Sequence, residues 1–433
     1  MSKKKYLAAL YRSVNEWNKW RKNNFDVEID LKGINLSSYT LIGIDFRGVD
    51  LAGANLIKTN LGSSDLDGAN LTGANLTEAN LSGASLTGAN LIGANLTNAN
   101  YRSAELCGAN LSLANLAYAD LRAIDFTAAQ LSQANFSHAN LNGAIFSGAK
   151  LTRANFELAS LLRADFTNAN LTKTCFSKAD LTKAHLDKAN LTEADLTRAK
   201  LTNASLVEAD LTEANFSTAD LTEANLLKSD LTQADLVRAN LPGADLIQAD
   251  LTKANLSQAN LSQANLTNTQ AFTTNFDRST LTGVSIEKLQ INHQTSFDRV
   301  ICKYLYLKSD RQKRMPYETD KSLTGDEFQS ILQNLLNSVE LIFNADINWS
   351  VFLNSFENLQ LQYKSQLIKI QSIEVLPHGK FVVRMNSTGD LNIGAFRKHF
   401  WQKYNRSLIA LSQDKLITAK DINNEQINAY KQN

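Results

Sequence analysis

The chain has 433 residues with 44 Lys and Arg against 43 Asp and Glu, a formal charge of +1 that excludes a global pull toward nucleic acid or acidic substrates. That length exceeds one ordinary compact core, so a repeat array with a further domain is the natural division. Three scattered cysteines, Cys107, Cys175 and Cys302, form no disulfide framework or metal spacing. Without an apolar run of membrane-spanning length or a signal-peptide core after Lys3-Lys4-Lys5, a cytoplasmic protein with no membrane contact is expected.

Residues 3 to 22 read as one amphipathic helix, because Leu7, Leu10, Tyr11, Val14 and Trp17 recur at helical spacing among charged and polar residues. It leads through Phe25, Val27 and Ile29 into the central stretch, so residues 1-30 form a lead-in whose expected task is to cap that stretch. Docking of a partner on this helix is the other reading.

From Leu31 to Ile291 a large apolar residue returns at every fifth position, broken in size only by Ala271, giving about 53 consecutive repeats. The unit reads Ala-(Asn/Asp)-Leu-(Thr/Ser)-X, as in Ala74-Asn75-Leu76-Thr77-Glu78 and Ala209-Asp210-Leu211-Thr212-Glu213. Five matches neither the helix period of 3.6 nor the strand period of 2, so the chain must turn a corner with each repeat to keep its leucines on one side. Leucine and the alanine two residues before it then point inward, while the other three positions face water. Asn, Asp, Ser and Thr suit the corners because their short side chains bond local backbone. Four corners close one coil and residues twenty apart stack. Phe126, Phe146 and Phe166 should form one ladder and Phe136, Phe156 and Phe176 a second opposite it.

This register resembles the pentapeptide-repeat family, and the resemblance implies an all-β solenoid, a right-handed quadrilateral β-helix. Over residues 31-291 it would have about 13 coils and, at roughly 4.8 Å per strand, a length of about 60 Å. The string Trp17-Asn18-Lys19-Trp20-Arg21 is similar to the lead-in of multidomain members common in cyanobacteria.

Outward residues change along the array. Up to about residue 148 the position two after leucine is often glycine, as at Gly68, Gly73, Gly83, Gly88 and Gly93. Between 151 and 200 it carries Arg153, Arg163, Lys173, Lys178, Lys183, Lys188 and Arg198. Between 201 and 250 the sign turns over, with Glu208, Asp210, Glu213, Asp220, Glu223, Asp230, Asp235, Asp245 and Asp250 against Lys228 and Arg238. Asp210, Asp230 and Asp250 should share one side, and Lys188, Glu208 and Lys228 should pair across coils. Thr152, Thr172, Thr192, Thr212, Thr232 and Thr252 should form a ladder of hydroxyls that bond one another; its charged neighbours speak against an ice-binding plane.

After Ile291 the period stops at Asn292-His293-Gln294, and residues 292-323 read as an exit strand and linker with basic Arg311, Lys313 and Arg314 in a loop. Residues 324-433 read as a small α+β domain: a helix from Gly325, a strand over 339–343, a helix over 349–361, strands over 367–375 and 381–385 joined by the turn Pro377-His378-Gly379, and a final helix over 393–411. This tail resembles a module that follows pentapeptide arrays in some bacterial proteins.

No phosphate-cradling loop, nucleophile elbow or His-Glu-x-x-His occurs, and His378 and His399 lack Cys, Asp or Glu at ligand spacing, so neither catalysis, metal nor cofactor is expected. These absences leave a noncatalytic scaffold or adaptor for a protein partner, with specificity in the C-terminal domain. Contacts are expected from Lys173, Lys178, Lys183, Arg311, Lys313 and Arg314, and from Glu208, Asp210, Glu213, Asp220, Glu223, Asp230, Asp235 and Asp250 in the acidic band. The family resemblance implies an alternative, a mimic of duplex DNA that binds gyrase or another type II topoisomerase through that band. Nucleic acid itself is not expected as a partner, and the sequence leaves homo-oligomerisation undetermined.

Overall fold

The computed structural model describes residues 3–308, 311, 313–336, 338–343, 347–363, 368–376, 380–387 and 394–411. The chain divides into two compact units, Met1–Thr324 and Gly325–Asn433.

In the first unit parallel bridges join residues twenty apart, from Asp30 and Asp50 through Asn265 and Ser285, so four pentapeptides make one coil. The path of each repeat is explained by the partners of its five N–H groups. In residues 75–79, Asn75 N donates to Ala54 O in the coil before at 2.9 Å, while Leu76 N and Glu78 N donate to Asn95 O and Thr97 O in the coil after at 2.7 and 3.0 Å. Ala79 N closes the corner on Leu76 O at 2.9 Å. No carbonyl reaches Thr77 N, and Asn75 Oδ1 accepts it at 3.1 Å. The recurrent Asn or Asp is therefore the acceptor that completes the corner.

The inward positions form a filled core in which the leucines, phenylalanines and alanines are almost entirely buried. Both phenylalanine ladders form: Phe146 stacks on Phe126 and Phe166 at 5.0 and 4.7 Å, and Phe156 on Phe136 and Phe176 at 4.7 and 5.0 Å. The ladders meet edge to face, as at Phe146 and Phe156.

The N-terminal segment departs from one continuous helix. It forms α1 (Lys3–Arg12) and α2 (Val14–Asn23), broken where extended Ser13 caps α2 by accepting from Glu16 N at 3.2 Å. α2 replaces one side of a missing coil. Trp17 is fully buried, its ring edge-on to Phe46, and its Nε1–H donates to Asp45 O at 2.7 Å. The Asn18 amide acts as a surrogate peptide, donating to Gly43 O and accepting from Asp45 N, both at 2.9 Å. Arg21 Nη2 donates to Arg47 O at 2.6 Å, and Tyr6 of α1 donates to Asp30 O at 3.0 Å. Side chains thus satisfy edge groups that a preceding coil would have paired.

At the other end stacking continues past Ile291, where an exit strand was expected. β1 (Gln270–Ala271) and β2 (Gln290–Ile291) pair in parallel at the old spacing, and then the spacing becomes twenty-one, with Ser296 beneath Asn275, Ile301 beneath Thr280 and Tyr306 beneath Ser285. One extra residue is absorbed near Asn292, whose backbone N–H donates to Thr295 Oγ1 while that hydroxyl donates to Ala271 O. β3 (Leu305–Tyr306) then pairs antiparallel with β4 (Arg314–Met315).

The second unit contains α3 (Gly325–Leu336), β5 (Ser338–Phe343), α4 (Trp349–Gln362), β6 (Ile368–Leu376), β7 (Lys380–Ser387) and α5 (394–411). Its antiparallel sheet has the order β5-β7-β6. Alternate strand residues, among them Leu341, Val383 and Met385, form a core with Phe352 of α4 and Phe400 of α5. The expected turn at Pro377-His378-Gly379 lies outside the described residues.

Candidate interaction surface

Outward positions are of two kinds, and the candidate residues divide between them. The residue before leucine serves the corner: half-buried Asp210, Asp220, Asp235 and Asp250 and exposed Asp230 accept from the N–H two residues on at 3.0, 3.1, 3.0, 2.8 and 2.9 Å. Burial alone would raise the Asp220 carboxyl, but hydrogen bonds from Thr222, Asn240 and Thr202 hold it below the usual carboxylate range. These carboxylates can add charge to a surface, yet their geometry is already committed to the turn.

The residue two after leucine is exposed and stands at the corner itself. Glu208, Glu213 and Glu223 and Lys173, Lys178 and Lys183 occupy such corners, all with φ between +54° and +59°. This left-handed backbone explains the glycines of the first coils, since glycine enters it without steric cost. The side chains of these lysines and glutamates take no part in the backbone hydrogen bonds that close the turn.

The acidic residues from 201 to 250 wrap around the rod. Asp210, Asp230 and Asp250 stack on one side, Asp220 stacks with Asn240 on a second, Asp235 with Asn215 on a third and Asp245 with Asn225 on the fourth. The basic coil just before them places Lys173, Lys178, Lys183 and Lys188 at its four successive corners. Cross-coil pairs join Lys173 to Glu193 at 3.1 Å and Lys178 to Glu157 at 3.2 Å, while Glu208 lies between Lys188 at 3.9 Å and Lys228 at 3.7 Å. Exposed pairs of this kind contribute about 0–1 kcal/mol each.

The threonine ladder forms with a different bonding pattern. Thr172 and Thr192 donate to Asn170 and Asn190 Oδ1 at 2.8 and 2.7 Å, and Thr192 also reaches Asp210 Oδ2 at 3.1 Å. The amide or carboxylate at the corner is the nearer acceptor, so the hydroxyls bond it and not each other.

Of the basic loop, Arg311 and Lys313 are exposed. Arg314 is occupied: its guanidinium lies 4.4 Å from the Tyr304 ring centroid and donates to Pro316 O and, at 2.7 Å, to Glu318 O. It closes the loop and leaves little for a partner. In the second unit His399 Nδ1 lies 2.8 Å from Tyr363 Oη, and His378 lies outside the described residues.

Sequence reading missed two surfaces. Tyr118 stacks on His138 at 4.6 Å along a corner column that continues to exposed Leu158, a pattern visible only when residues twenty apart are aligned. On α4, Trp349, Leu353 and Leu361 remain exposed opposite the buried face. Among the described residues no group of three or more His, Cys, Asp or Glu is placed to hold a metal ion, and no helix is long and apolar enough to cross a membrane.

A family model described as pentapeptide repeats matches residues 29–68, 64–102, 89–127, 129–161, 149–187, 189–226 and 229–268, together more than half of the chain. Among solved structures, HetL, a pentapeptide repeat protein involved in heterocyst differentiation regulation from the cyanobacterium Nostoc sp. strain PCC 7120, is 32% identical, with 54% of this chain and 89% of that one covered and a TM-score of 0.24. A pentapeptide repeat protein from the thylakoid lumen of Arabidopsis thaliana is 33% identical over 21% of this chain and 63% of its own, with a TM-score of 0.21. A trypsin-treated form of QnrB1, a plasmid-mediated fluoroquinolone resistance protein, is 20% identical over 48% of this chain and 82% of its own, with a TM-score of 0.22. No curated protein matches the chain.

Proposed function

The chain belongs to the pentapeptide-repeat family, and from that premise we propose that it is a noncatalytic adaptor whose rod presents side chains at fixed spacing to a protein partner. One observation carries this reading: the corner backbone is the same whether it holds Gly73, Tyr118, Lys173 or Glu213, at φ +63°, +60°, +59° and +58°. Surface chemistry therefore varies without altering the scaffold, and a partner meets side chains on a backbone that needs no ordering. The filled core leaves the chemistry to the outside. Three free cysteines, two of them half-buried with thiols pushed up by burial and Cys302 up to about 12, fit a reducing cytoplasmic setting.

The second unit is the proposed carrier of partner specificity, supported by exposed Trp349, Leu353 and Leu361 on one helix. Affinity capture from the native cell with the full chain and with a chain ending at Thr324 tests this. A partner retained by the full chain and lost with the shorter one is the expected result; equal retention would move the site to the charged corners of the rod.

The alternative is a DNA mimic directed at gyrase, which calls for a continuous negative surface. Four lysines on one coil beside the acidic ones weigh against it. Supercoiling by gyrase should proceed unchanged at micromolar concentrations of this protein; inhibition or protection would reverse the order of the two readings.

A further inference from the structure

One side of the rod is charged in a pattern complementary to itself. Its exposed corner column reads Gln133, Arg153, Lys173, Glu193, Glu213, Gln233, consecutive members lying one coil apart, as when Arg153 N donates to Thr172 O and Lys173 N to Thr192 O. The adjoining column of bridged residues reads Lys150, Asn170, Asn190, Asp210, and half-buried threonines at 152, 172, 192 and 212 lie between the two.

A two-fold axis perpendicular to the rod, midway between the coils of Lys173 and Glu193, maps the charged residues of these two columns between 150 and 213 onto opposite charges. Arg153 falls on Glu213, Lys173 on Glu193, Lys150 on Asp210, glutamine on glutamine and threonine on threonine. We propose that this side is an isologous interface at which a second copy of the chain docks antiparallel.

The charge distribution favours this occupant. These columns carry the cations Lys150, Arg153 and Lys173 and the anions Glu193, Asp210, Glu213 and Asp230, and the whole chain carries only +1, so two copies approach with little net repulsion. Among the described residues Lys150, Arg153 and Glu213 have no ion pair. Arg153 and Glu213 stand three coils apart on their own chain, about 14 Å, too far to pair there. Antiparallel docking brings each to the other's counterpart, whereas parallel docking sets like charge over like. On the side bearing Arg163, Lys183, Asn203 and Glu223 the corresponding axis, midway between Lys183 and Asn203, sets Lys183 on neutral Asn203 and Asp220 on Ser160, so fewer of its charges meet an opposite one. The strip from Gln133 to Gln233 is only about 24 Å long, so the dimer is a weak one sensitive to salt.

Sedimentation equilibrium of the full chain tests the interface. At about 100 µM protein a dimer is expected in about 50 mM NaCl and a monomer in about 500 mM. Arg153→Glu alone or Glu213→Lys alone should weaken association at least tenfold by setting like charge over like. Both variants should fold, since the same corner holds Glu at 193 and Lys at 173 with φ +57° and +59°. Mixing the two single variants should restore dimers, because each contact between them joins opposite signs. A monomer at low salt, association indifferent to either reversal, or a mixture that stays dissociated would each overturn the proposal. The dimer stands independently of the adaptor role.

Discussion

The two halves of the rod share one backbone and use it differently. Glycine fills twelve of the left-handed corners between residues 33 and 148, whereas between 153 and 288 only Gly243 and Gly283 remain. The geometry is unchanged, with φ +63° at Gly73 and +59° at Lys173. A side chain in this region costs roughly 1–2 kcal/mol that glycine avoids. The second half tolerates that strain at nearly every corner, and there the side chains are mostly charged or long and polar. Strain carried for no local bond is a mark of surface chemistry retained for use. The first half carries it at twelve corners, among them Tyr118 and His138, and leaves the other twelve to glycine.

The largest expected effect lies where the halves join. Phe146 touches Phe126, Phe136, Phe156 and Phe166, and Phe146→Ala should cost about 3–5 kcal/mol. Leu86→Ala in the glycine half should cost about 2–5 kcal/mol and fall below the phenylalanine value, because no aromatic stacking is lost with it. Urea denaturation of the two variants compares them, and equal losses would mean that the aromatic ladders add nothing to burial.

At the glycine-rich end, Asn18→Ala should cost about 1–3 kcal/mol by orphaning Gly43 O and Asp45 N. Faster hydrogen exchange at Asp45, with the amides beyond residue 150 unaffected, would be the signature of a local cap, since coils couple chiefly to their neighbours. Uniform acceleration along the rod would show that the two halves unfold as one.

Gly73→Ala sharpens the comparison at a single corner. No atom lies within 4 Å of the position where its Cβ would stand, so the expected loss of about 1 kcal/mol is purely conformational. An unchanged melting temperature would remove the strain distinction between the halves. This corner also marks where sequence reading ran out. The inward leucines were legible because burial restricts what can occupy them, while a left-handed corner accepts Gly, Lys, Glu, Tyr or Leu and so has no single residue signature. Ser13 with Glu16 three residues on was a readable capping signal, lost in the longer apolar period of α1 and α2. The coils after Ile291 were hidden by one added residue: Phe297 stacks on Phe276 from twenty-one positions away and breaks the count by five. At the surface, the type of each charged residue was legible, but its partition between turn acceptor and free corner depended on φ and hydrogen bonds.

The smallest effect separates two uses of charge. In the first coil Asp45 is held below the usual carboxylate range chiefly by hydrogen bonds from Arg47, with burial opposing. A carboxylate depressed by folding stabilises at pH values above its ordinary 3.8, and this contribution is lost as pH falls through the lower folded value. Arg47→Met should therefore cost about 0.5–1 kcal/mol at neutral pH, discounted for an exposed guanidinium, and the gap from the parent chain should narrow as pH falls below 3.8. In the second half, Lys178→Met removes an exposed pair with Glu157 and should change stability by less than about 0.5 kcal/mol. Melting curves from pH 7 to 2 compare the two. If Lys178→Met proved the more damaging, the corner charges would be holding the rod together, and their reading as surface for another molecule would lose its ground.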